Sequence, residues 1–152
     1  MWPVFRNLVA LFAGVFVGSV VNMTIVNVGP HIIPLPEGAD VSTMEGVRDS
    51  VKLFTPANFL CPFLAHALGT LVGAFVAAKL AFSHPMKLAM GVGLFFLMGG
   101  IAVNRMIGGP TWFIAADIIV GYLPMGFLGG RLGCSPQPVS PSTDVGDAAP
   151  EL

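Results

Sequence analysis

Four apolar stretches, residues 4–28, 57–82, 86–103 and 111–130, take up most of the sequence, and they cannot all be buried inside a chain this short. At 1.5 Å rise per residue, about 20 residues cross the ~30 Å hydrocarbon layer, so the first two stretches can tilt and the third barely suffices. In lipid, every backbone N–H and C=O must find its partner within the segment, which makes these stretches helices. Three starts carry a proline signal: Thr55-Pro56, His84-Pro85 and Gly109-Pro110 each place the missing N–H where a first helical turn has no bond to lose. The charge content points the same way. Lys and Arg number 7 and Asp and Glu 8, together 10% of 152 residues, against roughly 25% in soluble domains. The expectation is an all-α, polytopic membrane protein with four transmembrane helices in an antiparallel bundle, its first partner the lipid bilayer itself.

The expected connections are unequal. Residues 29–56 form a long first loop, while the second and third connections are short enough to make antiparallel hairpins of the spans they join. Within the long loop, Ser42-Thr43-Met44-Glu45 fits a capping box, and Met44, Val47, Val51 and Phe54 share a stripe opposite Glu45, Arg48, Asp49 and Lys52. This pattern predicts a short amphipathic helix over about 43–54, lying at the membrane interface or capping the bundle. Residues 1–133 then make one transmembrane domain, and 134–152, rich in Pro and Ser with Asp144, Asp147 and Glu151, make a tail expected to be disordered. The first apolar run outlasts a signal-peptide core and meets no small-x-small cleavage site before Asn22, so it is expected to be retained. Arg6, Lys79, Lys87 and Arg131 flank one side of the spans and Arg48, Lys52 and Arg105 the other, which orients both termini to the cytoplasm. No stripe of basic residues exists to replace phosphate counterions, so nucleic acid is excluded as a partner.

Small residues recur four apart within the spans: Gly14 and Gly18, Gly69 and Gly73, Gly126 and Gly130. Lipid supplies no hydrophobic drive for helix association, so such ridges mark places where backbones approach closely. The spacing favours packing within the chain, with a homo-oligomer or a membrane-protein partner as the alternative.

Polar groups inside spans are costly and therefore point to function or to deliberate locking. They are Asn22, Asn27, Asn58, His66, Thr70, Asn104 with Arg105, and Asp117. With helix directions alternating, His66 lies about 14 Å and Asp117 about 9 Å from the long-loop side. The expected cluster is Asn22, His66, Asp117 and Arg105. An acid beside an imidazole can relay protons, because histidine titrates near neutrality; the same groups can equally form a satisfied clasp that fixes helix register. Trp2, Trp112 and Tyr122 read as interfacial anchors. His31 and His84 have no ligand-spaced partners, so neither a metal nor a cofactor is expected. No phosphate loop, His-Glu-x-x-His or nucleophile elbow occurs, and the chain is not expected to be an enzyme.

The run Phe63-Leu64-Ala65-His66-Ala67-Leu68-Gly69-Thr70-Leu71-Val72-Gly73-Ala74, with Pro36-Glu37-Gly38 in the loop and Trp112-Phe113 ahead of Asp117, resembles a family of small bacterial four-span integral membrane proteins with no assigned activity. The resemblance covers residues 10–133 and implies a bacterial inner membrane and nothing catalytic. The expected role is structural or accessory; the alternative is a small transporter or channel component coupling protons or cations through Asp117 and His66.

Overall fold

The computed structural model describes residues 2–134, and among these every regular element is a helix. Helix α1 runs Trp2–Ile32, α2 Met44–Ser50, α3 Leu60–Leu80, α4 Pro85–Ile107, α5 Thr111–Val120 and α6 Leu123–Gly133. Short 3-10 turns at Val51–Leu53 and Pro56–Phe59 lead from α2 into α3. Four helical segments are long and apolar enough to cross a membrane: Trp2–Ile32, Pro56–Leu80, Pro85–Ile107 and Thr111–Gly133. The tail expected over 134–152 lies, apart from Cys134, outside the described residues.

Where side chains point identifies the solvent. On α1, Ala10, Gly14 and Gly18 are buried while Phe12 and Phe16 are 71% and 70% exposed. On α4, Ala89, Val92, Gly93 and Gly100 face inward and Leu94, Phe95 and Met98 outward. A water-soluble domain buries its largest apolar groups; small residues inside and large ones outside are the arrangement that lipid selects. The chain is a multi-pass membrane protein.

The small residues set the helix register. A Cβ on Gly14 would stand 2.6 Å from the Gly73 carbonyl oxygen, and one on Gly18 would stand 2.6 Å from that of Gly69. These contacts run α1 antiparallel to α3 with the backbones nearly touching. On another face of α3, Gly129 and Gly133 of α6 sit against the carbonyls of Leu71 and Phe75, while Gly126 and Gly130 sit against Gly93 and Ala89 of α4. Helix α3 is therefore the shared centre, packed on α1, α4 and α6.

The first span stays helical to Ile32, past its expected end at 28, and the second ends at Leu80, short of 82; the other two differ from their sequence-predicted bounds for visible reasons. The third continues past residue 103 because Asn104 and Arg105 stay helical, and it stops at Gly108, whose N–H still bonds the Asn104 carbonyl while its φ of 73° turns the following chain out of the helix. The fourth is broken. The last bond of α5 is Gly121 N–H to the Asp117 carbonyl (2.8 Å), and the ladder resumes with Gly126 N–H to the Tyr122 carbonyl (2.7 Å). Pro124 has no N–H for the Val120 carbonyl, and its ring crowds that carbonyl, so the interruption falls at Gly121 and Tyr122.

The amphipathic helix forms, with its cap shifted by one residue. Ser42, the capping residue that the spacing favours, donates its hydroxyl to Asp40 Oδ1 (2.6 Å), and Thr43 instead accepts from Gly46 N–H (3.0 Å). Those Ser42 donors hold the Asp40 carboxyl below the ordinary carboxylate range. The long loop is tied down by Asn58, which accepts from Thr55 N–H (2.9 Å) and donates to the Pro34 carbonyl (3.0 Å).

Candidate functional site

The break in the fourth span and the polar residues of the spans coincide. Asp117 is fully buried one turn before the break, on the last full turn of α5. Its Oδ1 lies 2.8 Å from His66 Nδ1 on α3. Its Oδ2 accepts from the Tyr122 hydroxyl (2.9 Å) at the break and from Asn104 Nδ2 (3.1 Å) on α4. Spans two, three and four thus converge on one carboxylate. An ionised carboxylate only accepts, and the three groups around Asp117 are donors of the kind it requires. That assignment puts the histidine proton on Nδ1. The Tyr122 oxygen also sits 2.9 Å from Nδ1, closing a triangle of three polar groups, and the two rings stack at 5.6 Å.

Local structure explains each placement. Residues 66, 69, 70 and 73 share a face of α3, so the ridge that admits α1 carries His66 at its upper edge. Tyr122 reaches the cluster because the helix is broken beside it and because Gly100 leaves room: a Cβ there would overlap the Tyr122 hydroxyl. Asn104 lies one turn beyond Gly100 on the same side of α4. Thr70 Oγ1, one turn from His66, is buried without a hydrogen-bond partner among the described residues.

Of the four residues expected together, the structure joins two, His66 and Asp117. Asn22 packs its Cβ against Gly69, 3.0 Å from where a Cβ there would stand, but makes no hydrogen bond to the pair. Arg105 is exposed, because one residue along a helix turns its side chain some 100° away from the direction of Asn104. The two partners that sequence reasoning did not join to the pair are Asn104 and Tyr122. Asn104 was visible as a polar residue ending the third span. Tyr122, read as an interfacial anchor, is 1% exposed instead; the signal for it was Pro124, two residues on, which breaks the helix and swings the ring inward. The packing glycines Gly14, Gly18, Gly69, Gly73, Gly126 and Gly130 are all buried at helix contacts.

His66 keeps one face open. Its side chain is 19% exposed, and among the described residues Nε2 has no hydrogen-bond partner. No third His, Cys, Asp or Glu stands near enough to form a metal-binding group among the described residues. No protein-family model, curated protein or solved structure matches the chain.

Proposed function

We propose that this chain is a structural or accessory integral membrane protein in which His66, Asp117, Tyr122 and Asn104 form a polar clasp locking the broken fourth span onto α3 and α4. The observation that carries this reading is the closure around Asp117: no part of it is exposed, and its two oxygens receive three donors from three spans. A transport site must exchange its proton or cation with water, and Asp117 is sealed from it. We also place the protein in a bacterial inner membrane with both termini cytoplasmic, a reading supported by the family resemblance and the flanking charges. The test is purified protein in vesicles loaded with a pH-sensitive dye under an imposed gradient. Wild type and Asp117→Asn should both leak no faster than empty vesicles, with Asp117→Asn less stable to heat.

One observation favours a second reading, that of a small transporter or channel component coupling through Asp117 and His66. The free Nε2 of His66 is partly exposed at the depth of a helix break, and discontinuous helices line the binding sites of many transporters. A proton flux present in wild type and lost in Asp117→Asn would replace the clasp with this reading.

A further inference from the structure

At the long-loop end, two clefts of about 340 and 350 Å³ adjoin, sharing Val51, Lys52 and Gly108. One is aromatic, walled by Phe54, Phe59 and Trp112; the other is charged, walled by Glu45, Arg48, Asp49 and Lys52. They open where Pro56–Phe59 enters α3, α4 ends and α5 begins, at the depth of the lipid head groups for spans of these lengths. Trp112, edge-on to Phe59 at 5.5 Å, is 52% exposed there.

The charges are arranged in a specific way. The charged cleft holds two bases, Arg48 on α2 and Lys52 in the 3-10 turn that follows it, and two acids, Glu45 and Asp49 on α2. Among the described residues none of the four has an ion-pair partner. A single anion would suit the two bases and be repelled by the two acids. A head group carrying both a phosphate and a primary ammonium a few ångströms apart satisfies both, while its glycerol and upper acyl chain lie along the aromatic cleft.

We propose that this double cleft binds a zwitterionic phospholipid of the phosphatidylethanolamine type, with its phosphate on Arg48 and Lys52, its ammonium on Glu45 and Asp49, and its apolar part against Phe54, Phe59 and Trp112. Trp112 reports on it directly. The chain has 2 tryptophans, so Trp2→Phe leaves Trp112 alone as a fluorophore. This variant, reconstituted in phosphatidylcholine vesicles, is titrated with phosphatidylethanolamine, phosphatidylcholine or phosphatidylglycerol carrying brominated acyl chains, since bromine quenches tryptophan on contact. Brominated phosphatidylethanolamine should reach half-maximal quenching at a several-fold lower mole fraction than the other two. Adding Arg48→Gln and Asp49→Asn, both exposed positions on α2, should remove that preference while helical content stays unchanged. Equal quenching by all three lipids, stronger quenching by phosphatidylglycerol, or a preference that survives the charge variants would each overturn the assignment.

Discussion

Helix α3 is gripped on two sides by different physics. Against α1 the grip is steric: Gly14 and Gly18 meet Gly69 and Gly73, and among the described residues no side-chain hydrogen bond joins the two helices. Asn7 does bond the end of this hairpin, donating to Ser83 Oγ (2.9 Å) and accepting from Phe82 N–H (3.0 Å), but in the turn after α3. Against the fourth span, glycine contacts are joined by the Asp117 clasp. The difference follows from helix continuity. Helix α1 is continuous over 31 residues, its ladder lacking the Pro30 N–H only in the last turn, and needs only to be fitted. The fourth span is two pieces of 10 and 11 residues, each about half the length needed to cross the hydrocarbon layer. Directional bonds at the break replace what the interrupted ladder lost. The first interface should therefore be sensitive to size and indifferent to polarity, and the second sensitive to both.

The strongest way to break that comparison is to remove one partner of the buried pair. His66→Leu keeps an apolar volume on α3 but leaves Asp117 buried without its closest partner, a change worth about 3–5 kcal/mol when buried pairs are split. Unfolding in mixed micelles should show a loss of that order, and the double variant His66→Leu with Asp117→Leu should recover much of it, because apolar replacement of both partners leaves no buried charge unpaired. A His66→Leu protein as stable as wild type would show that the clasp holds nothing.

A smaller loss is expected at the steric interface. A Cβ at Gly18 meets the Gly69 carbonyl oxygen, which cannot move aside, and next to it the Phe96 ring. Overpacking of this kind costs about 1–3 kcal/mol. The sharper comparison is chemical: Gly18→Ala and Gly18→Ser should lose equally, since the collision is with the Cβ and the hydroxyl adds nothing to it. If Ser is tolerated and Ala is not, the α1 interface is polar after all and the contrast between the two sides of α3 fails.

The steric side of α3 is far more legible in the amino-acid sequence than the polar side. Apolar length and the three prolines locate the spans, since lipid leaves backbone groups no other solution. Spacing of four names Gly14, Gly18, Gly69 and Gly73, because a helix repeats its face almost at that interval. It names Gly126 and Gly130 on α6; Gly129 and Gly133 share the spacing and form a second ridge facing α3, but a span bounded at residue 130 leaves Gly133 outside it, so that ridge goes unread. Depth alone pairs His66 with Asp117. It does not choose between Asn104 and Arg105, adjacent residues whose directions depend on helix rotation, nor separate Asn22 from the cluster, since equal depth is not contact. Tyr122 is hidden for a local reason, since its inward turn depends on the break that Pro124 imposes.

Gly100 is where the two modes of packing meet, and it carries the smallest predicted effect. The residue is small so that a polar group can be seated: a Cβ there would occupy the place of the Tyr122 hydroxyl. Gly100→Ala should displace that hydroxyl from Asp117, at a cost of about 1–2 kcal/mol for a hydrogen bond to a charged group. Alanine should return up to about 1 kcal/mol through its better helix propensity. The net stability change is then close to zero, and stability alone would miss it. Spectroscopy would not, because the chain contains 1 tyrosine. The tyrosine doublet in ultraviolet resonance Raman spectra should move from a strongly donating phenol in wild type toward a free or lipid-facing one in Gly100→Ala, with unfolding nearly unchanged. An unaltered doublet would mean that Tyr122 holds its place without the space Gly100 provides, and that small-residue packing and the clasp are independent in this bundle.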